Sequence, residues 1–381
     1  MGKVPLARLA LGAMLVVTAC GTGTAPSAPA SSSGPAVSSA PAATEAADAC
    51  KELHILTWEG FTLDKWKVPF ESKTGAKVTA TFLTSGDEEI AKLLAGGDLY
   101  DVATASTDSY GAVVKAGALR PLDRSRLQNV KDIPEFLLAL GTTNDQLYNM
   151  PWNWDANPFL YDPKAFPTAP TSWDILWDPS MKGKVAVWDD SSLIYIAATV
   201  LGFDQPDPKA VFSLSDAQLD QVLAKLIELK PNIRKIWASG GELQSLWTNG
   251  EVSAGLGWTY IYNQLSAAGV SVKATHFARH GAHAWMDGWS IPKDASAACE
   301  NLAYEWINTT TSPEVMAQEG EFVGYSPANP KAKDSLTPEL VTKLHLDDME
   351  AFGREITFKT SPDRPEKYLE ILNEFKAAAG G

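Results

Sequence analysis

The chain has 381 residues, with 32 Lys and Arg against 46 Asp and Glu, which gives a formal net charge of −14 at pH 7. The acidic balance and the lack of a basic stripe argue against nucleic acid as a partner, whereas a negative surface favours solubility and concentrates cations near it. After the N-terminal region about 330 residues remain, which is too long for one ordinary core and is typical of two domains. No stretch in this part is apolar and long enough to span a membrane.

The N-terminal residues have the layout of an export signal. Lys3 and Arg8 form a short positive region, an apolar stretch covers 9–18, and small residues precede Cys20. A cysteine at this point resembles a lipobox, in which the cysteine becomes the lipid-modified N-terminus, and the alternative is an ordinary signal peptide with a chance cysteine. We therefore expect 1–20 to be a lipoprotein signal peptide. The protein is then exported and anchored by lipid to the outer face of the cell membrane.

The segment 21–49 consists almost entirely of Ala, Ser, Pro, Gly and Thr. Such a composition cannot bury enough apolar surface to fold. It predicts a flexible tether with a reach of roughly 30 Å, which would hold a folded domain away from a membrane surface.

Two cysteines remain beyond Cys20, namely Cys50 and Cys299. In an exported protein, an even number of cysteines in an oxidising setting predicts a disulfide. The alternative is two buried free thiols.

From residue 50 onwards the sequence alternates predicted strands and helices. Gly75 and Gly96 are suited to end two helices, and Ser85 is suited to cap the start of one. The predicted strands in this part are 53–58, 78–83 and 101–105, each followed by a helix. Repeated β-α-β units of this kind predict a parallel sheet covered by helices.

Two aromatic segments, at 150–154 and 284–291, each mark a change from one β-α series to another. We therefore expect an α/β fold of two lobes, each a mainly parallel sheet flanked by helices, with two crossings that form a hinge. The expected boundaries are 50–152 and 288–328 for lobe 1, and 155–285 and 331–381 for lobe 2.

Aromatic and acidic residues follow the predicted strands and crossings. Because ligands of open α/β sheets bind at the carboxyl ends of strands, these residues should face the cleft between two lobes. Tryptophan faces attract cations and a carboxylate adds a directional hydrogen bond, which together suit an ammonium group. The candidate ligand-binding residues are Trp58, Glu59, Phe61, Ser106, Asp108, Asp190, Trp258, Trp285 and Asp287.

Each of these residues also has a structural alternative. A single tryptophan can be a core residue, and Asp189 or Asp190 can serve as the N-cap of the helix that follows. The interpretation therefore depends on the co-location of aromatic rings and acids.

Four segments carry a more specific pattern: LTWE at 56–59, TSWDILWDP and KGK within 171–184, WMDGWSIP at 285–292, and GYSPAN at 324–329. Through these segments the chain resembles the spermidine/putrescine-binding proteins of ABC importers over nearly all of 53–376. The resemblance implies a two-lobed periplasmic-binding-protein fold without catalytic activity, cofactor or metal. It also implies a monomer whose partners are a small organic cation and the permease subunits of an ABC transporter.

In that family the ligand lies between aromatic walls, and acids bind its amines. The resemblance assigns Trp58, Trp258, Trp285 and Tyr325 to the walls, Asp190 and Asp287 to the amines, and Ser106 to a serine contact. The chain departs from the pattern at Phe61, where a tyrosine is common, at Leu193, where a glutamate holds an amine, and at Asp108, which is usually aromatic. An organic cation is therefore better supported than spermidine itself. A quaternary ammonium, a betaine or an amino-acid-like ligand stays an alternative.

Other classes of protein find less support. The histidines His276, His280 and His283 have loose spacing and no His-Glu-x-x-His helix, which argues against a metal hydrolase. The sequence has no G-x-S-x-G elbow, and the adjacent acids Asp189 and Asp190 would need a partner across the cleft for glycoside hydrolysis. A surface-adhesion protein is compatible with the tether, but it does not require acids and aromatic rings at the strand ends.

Overall fold

The structure is a computed structural model that describes residues 50–277 and 283–379. The predicted signal peptide, Cys20, the tether and His280 therefore lie outside the described residues. Within the described part, no helix is long and apolar enough to cross a membrane.

The elements alternate along the chain as the sequence predicts. The strands are β1 (Glu52–Thr57), β2 (Lys77–Phe82), β3 (Val102–Ser106), β4 (Leu119–Arg120), β5 (Thr142–Thr143), β6 (Gln146–Leu147), β7 (Met150–Ala156), β8 (Phe159–Tyr161), β9 (Val185–Trp188), β10 (Ile233–Trp237), β11 (Ala254–Leu256), β12 (Lys273–Thr275), β13 (His283–Pro292), β14 (Ser326–Pro327) and β15 (Thr357–Phe358). The α-helices are α1 (Asp64–Thr74), α2 (Gly86–Ala95), α3 (Thr107–Lys115), α4 (Glu135–Leu140), α5 (Ser192–Val200), α6 (Asp216–Leu229), α7 (Gly240–Thr248), α8 (Thr259–Ala267), α9 (Glu300–Thr310), α10 (Pro313–Phe322), α11 (Pro338–Lys343), α12 (Met349–Glu355) and α13 (Pro365–Ala379).

Two main sheets form the centres of the two lobes. The first runs in the order β14-β7-β13-β3-β1-β2, with β4 and β15 also paired to β13, and the second runs in the order β10-β9-β11-β8-β12. Within them, β1 is parallel to β2 and β3, and β9 is parallel to β10 and β11. However, β13 is antiparallel to β3 and β7, and β8 is antiparallel to β11 and β12. The sheets are thus mixed rather than mainly parallel, because the strands beside the lobe crossings return in the opposite direction.

Each lobe has its own hydrophobic core. The first is built around Trp66, Phe70, Trp152, Trp289 and Trp306, and the second around Tyr195, Phe212, Val222, Trp237 and Phe375. Strands β3 and β9 are buried along their whole length. Continuous burial of this kind is typical of strands covered on both faces, and it explains why these strands are not alternating in sequence.

The chain passes between the lobes in three places. The strand β7 leads into β8, and the chain returns from β12 to β13, at the two predicted crossings. A third passage, at 359–364, joins β15 of the first sheet to α13, whose Tyr368 and Phe375 belong to the second core. This third passage has no aromatic motif and is therefore not predictable from the sequence.

The predicted lobe boundaries need correction after residue 331. The expectation places 331–381 in lobe 2, but Leu344, Met349 and Phe358 pack in the core of the first lobe. The ring of Phe358 lies 5.9 Å from that of Trp154, which belongs to β7. This apolar contact holds the segment on the first lobe, and only α13 joins the second.

Local sequence signals set the ends of α1 and α2. Gly75 ends α1 in the left-handed conformation, with φ 73°, where glycine has no steric penalty. The hydroxyl of Ser85 accepts a hydrogen bond from the backbone N–H of Glu88 and caps α2. The backbone N–H of Gly86, the first residue of that helix, donates to Asp190 Oδ2 at 3.0 Å.

The two cysteines of the described region form the predicted disulfide. Cys50 and Cys299 have Cα atoms 4.9 Å apart and a sequence separation of 249. Cys50 lies two residues before β1, and Cys299 directly precedes α9. Since the carboxyl end of β1 points to the cleft, the disulfide lies at the opposite edge of the sheet.

Candidate functional site

The strand ends of both sheets meet in one cleft between the lobes. Strand β3 ends at Ser106, and the register of the first sheet pairs Ser106 with Asp287 on β13. Residues at the end of β9 and just after β1 and β11 reach the same cleft from their own lobes. Its lining consists of Trp58, Glu59, Phe61, Gly86, Ser106, Asp108, Asn157, Trp188, Trp258, Trp285, Asp287, Tyr325 and Lys359. The space between these walls, including its open mouth, amounts to about 460 Å³.

The structure brings together all the candidate ligand-binding residues except Asp190, which lies behind the wall of the cleft. It also adds Gly86, Asn157, Trp188 and Lys359, which the sequence analysis does not assign. Trp188 follows the same strand-end rule as the assigned residues. The other three have no sequence signal that separates them from ordinary loop residues.

Aromatic rings form the walls in two groups. The ring centroids of Trp58, Trp188 and Trp258 lie 5.3–6.2 Å apart, and each pair meets edge to face. On the other side, Trp285 and Tyr325 meet edge to face at 4.7 Å. Edge-to-face packing leaves ring faces available to a cation, since the face of an aromatic ring carries the negative part of its quadrupole.

Polar contacts hold three of these rings in place. The indole N–H of Trp58 donates to Ser106 Oγ at 3.3 Å, and that of Trp285 donates to Asn157 Oδ1 at 2.9 Å. The indole N–H of Trp188 reaches across the lobes to the backbone carbonyl of Thr84 at 2.9 Å. The walls are therefore pre-organised, which reduces the entropy that binding would otherwise cost.

Phe61 has a supporting position. Its side chain is only 1% exposed and packs edge to face on Trp152 at 4.5 Å. It also lies 6.2 Å from the ring of Tyr325. Phe61 thus fixes the wall from behind while its edge lines the cleft.

Asp287 is a buried acid at the centre of the site, and its side chain is 4% exposed. One carboxylate oxygen accepts a hydrogen bond from the Ser106 hydroxyl. For the other oxygen, the described part of the chain provides no hydrogen-bond donor. Burial raises the pKa of Asp287 to about 7, although the hydrogen bond from Ser106 acts in the opposite direction.

Asp190, a predicted amine ligand, has a different position from the expected one. Its Oδ1 accepts hydrogen bonds from the backbone N–H and hydroxyl of Ser192, and its Oδ2 accepts from the N–H of Gly86 at 3.0 Å. The carboxylate therefore joins the start of α5 in one lobe to the start of α2 in the other. Burial raises the pKa of Asp190, with Lys359 opposing the rise.

Two further contacts join the same loops of the two lobes. The Ser191 hydroxyl donates to the carboxylate of Asp87 at 3.0 Å, beside the bond from Trp188 to Thr84. Burial and the neighbouring Asp190 raise the pKa of Asp87 to about 7. We call the loop 84–87 and its contacts with Trp188, Asp190 and Ser191 the lobe latch.

Lys359 is an unexpected cation in this acidic site. Its side chain is 3% exposed in the contact between the lobes, and its Nζ lies 2.6 Å from Asp108 Oδ2 and 3.5 Å from Ser192 Oγ. Burial lowers the pKa of Lys359, but Asp108, Asp190 and Asp287 raise it by more, so the net pKa is above its usual value. The ammonium group therefore stays charged.

Glu89 supports the end of β3 from beneath the cleft. It is fully buried and accepts hydrogen bonds from the N–H of Ser106, at 3.2 Å, and from the hydroxyl of Ser109. Burial raises the pKa of Glu89 well above its usual range.

The described residues contain no cluster of three or more His, Cys, Asp and Glu side chains suited to hold a metal ion. Of the three histidines considered above, His280 lies outside the described residues, so the histidine cluster itself stays untested.

The fold and cleft define a solute-binding protein rather than a protein of another α/β class. The family model described as bacterial extracellular solute-binding protein matches residues 65–346. The chain belongs to this family.

Two proteins and one solved structure are similar to this chain over most of its length. The chain is 27% identical over 309 residues to the spermidine/putrescine-binding periplasmic protein of Escherichia coli, covering 79% of this chain and 84% of the relative. It is 28% identical over 307 residues to the putrescine-binding periplasmic protein PotF of the same organism, covering 76% and 81%. The structure of the substrate-binding protein PotD from Streptococcus pneumoniae shares the fold, with a TM-score of 0.66, 24% identity and coverage of 86% and 99%.

Proposed function

We propose that this protein is the substrate-binding component of an ABC importer and captures a small organic cation of the polyamine type in the cleft between its lobes. The observation that carries the proposal is the buried carboxylate of Asp287 in a cleft that Trp258 and Trp285 also line. A buried carboxylate without enough donors is costly. An ammonium group would supply both the missing charge and the missing hydrogen bond.

The family and the relatives support the same ligand class. The two Escherichia coli relatives are named for binding spermidine and putrescine, and the chain spans more than four fifths of each. The departures at Phe61, Asp108 and Leu193 favour the class of organic cations over spermidine in particular. The protein acts by binding and release of its ligand, without chemical conversion.

The location of the protein follows from the N-terminal sequence. Cys20 carries the lipid anchor on the outer face of the cell membrane, and the segment 21–49 tethers the folded part. The protein works as a monomer that delivers its ligand to the permease subunits of the transporter.

The proposal is tested by calorimetric titration with spermidine, 1,4-diaminobutane, n-butylamine and choline. Glucose is the uncharged control. We expect one or more cations to bind, glucose not to bind, and Asp287→Asn to weaken the tightest ligand by roughly 2–5 kcal/mol. The matched control is Asp98→Asn, which changes an exposed acid in the same lobe and should leave affinity unchanged. Equal affinity of Asp287→Asn and the parent protein would overturn the assignment. Recovery of the ligand unchanged after incubation separates binding from turnover.

A further inference from the structure

The acidic end of the cleft already contains an ammonium group, which belongs to the protein. Lys359 Nζ contacts Asp108 at 2.6 Å and lies 5.9 Å from the ring centroid of Trp188, where a bound cation would also be favourable. Its backbone is held at the edge of the first sheet, because its N–H donates to the carbonyl of Ala284. Lys359 is thus fixed in place and lines the same cleft as Asp287.

Most carboxylate oxygens at the acidic end of the cleft already accept a hydrogen bond or form an ion pair within the protein. Asp108 is paired with Lys359, and both oxygens of Asp190 accept hydrogen bonds from Gly86 and Ser192. Oδ1 of Asp108 receives no donor from the described residues, but this atom is fully buried. Asp287 lines the cleft, and its oxygen that Ser106 does not contact also receives no donor from the described residues. One ammonium group of a ligand is therefore sufficient to complete the acidic end.

We propose that Lys359 takes the place of a second ligand ammonium, so that the cleft selects an organic cation with a single positive group over a diamine. This inference rests on the organic-cation site of the proposed function and replaces its polyamine type by a cation with one positive group. A second ammonium at this end would meet Lys359 at close range in a buried setting. Like charges at such a separation repel strongly when water is excluded.

The other acid of the cleft lies in a separate place. Glu59 has its carboxylate beside Gly240, at the start of α7 in the second lobe, and its side chain is only partly buried. The start of a helix favours a negative charge. Burial nevertheless raises the pKa of Glu59, and this residue lies outside the group formed by Asp108, Asp190 and Asp287.

A matched pair of ligands tests the role of Lys359. n-Butylamine and 1,4-diaminobutane have the same four-carbon chain and differ in the second amine. Their dissociation constants are measured by calorimetry at pH 8 for the parent protein and for Lys359→Met, which keeps the length of the side chain and removes its charge. We expect the parent to bind the diamine no more tightly than the mono-amine. In Lys359→Met, the affinity for the diamine relative to the mono-amine should rise by about tenfold or more, since the repulsion is removed.

Two further variants keep the test decisive. If Lys359→Met folds poorly because it leaves Asp108 unpaired, the double variant Asp108→Asn with Lys359→Met removes the whole ion pair. The affinity for the diamine relative to the mono-amine should still rise in this double variant. Lys115→Met, at an exposed lysine in the same lobe, is the control and should leave the ratio unchanged.

The outcomes distinguish the inference from the proposed function. A parent protein that binds the diamine tenfold more tightly, or a ratio that is unchanged in both variants, would overturn the inference and leave an organic-cation site standing. If the parent and both variants bind none of the four cations, namely n-butylamine, 1,4-diaminobutane, choline and spermidine, the proposed function fails, and the inference fails with it.

Discussion

The hydroxyl of Ser106 and the carboxylate of Asp287 meet across neighbouring strands of the first sheet, 181 residues apart in sequence. Because the two residues are register partners in β3 and β13, the backbone itself sets their contact. A hydrogen bond to a carboxylate favours its charged form. Ser106 therefore keeps Asp287 more acidic than burial alone would leave it.

Ser106→Ala should weaken cation binding near neutral pH, by about 1.5–3 kcal/mol, the usual contribution of a hydrogen bond to a charged group. The reason is that the pKa of Asp287 rises further, so less of the carboxylate is ionised. Affinity should recover in part at pH 9, where the carboxylate ionises in both proteins. Calorimetry at pH 7 and pH 9 measures this, with the exposed Ser335→Ala as control. A loss of equal size at the two pH values would contradict the link to ionisation.

Cation affinity should fall as the pH decreases through 7. The pKa of Asp287 in the unliganded protein is about 7, and a bound ammonium would lower it, so binding near pH 7 releases a proton. Below pH 7 the dissociation constant should rise by up to about tenfold per pH unit. Titrations in buffers of different ionisation enthalpy measure the released proton directly.

Other charged and titratable groups lie near Asp287 and could also make binding depend on pH, so the pH series needs a control. Asp108, Glu89, Glu319 and Lys359 all interact electrostatically with Asp287. Asp87 in the lobe latch also has a pKa of about 7 and titrates in the same range. Asp287→Asn retains all of these groups. Any pH dependence that this variant shows therefore belongs to them, and an unchanged proton release in the variant would rule out Asp287 as the source.

Asp287→Asn should stabilise the unliganded protein at high pH while it abolishes tight binding. The folded-state pKa of Asp287 is raised, so the folded protein holds a proton more tightly than the unfolded chain. Stability is therefore lost as the pH rises from about 4 to 7, and the full penalty is present above 7. The asparagine still offers an oxygen to Ser106 and has no charge.

Unfolding measurements at pH 5 and pH 8 check this prediction. The gain in the free energy of unfolding should be larger at pH 8 by about 2–3 kcal/mol, since each pKa unit corresponds to about 1.4 kcal/mol. If Asp287 only held a turn together, the variant would be less stable at both pH values.

The position of several site residues was predictable from sequence because it depends on a general property of sheets. Ser106 and Trp258 follow strands whose carboxyl ends face the cleft. The aromatic segment around Trp285 and Asp287 lies on β13, which crosses to the first sheet. In each case the local sequence and the sheet direction together fix the location of the side chain.

Lys359 was not predictable in this way. It follows β15, a strand of only two residues that pairs with β13, and it lies on the third passage between the lobes. Two residues carry no periodicity that a sequence analysis can detect. Asp190 was predicted to enter the site, but its orientation is decided by the N–H of Gly86 in the other lobe. Such tertiary contacts leave no trace in the local sequence.

Asp190→Asn should weaken binding through the lobe latch rather than through ligand selectivity. The Asp190 carboxylate accepts the N–H of Gly86 across the lobes and the N–H of Ser192 within its own lobe. An asparagine can still accept from Ser192, but its NH₂ group then faces the N–H of Gly86, and two donors repel each other. The loss of this bond should favour separated lobes and weaken the binding of every cation by about 1–3 kcal/mol.

The affinity ratio of 1,4-diaminobutane to n-butylamine should therefore stay at the parent value in Asp190→Asn, in contrast to Lys359→Met. Small-angle X-ray scattering of ligand-saturated protein should give a larger radius of gyration for Asp190→Asn than for the parent. A changed ratio with an unchanged radius would mean that Asp190 contacts the ligand itself.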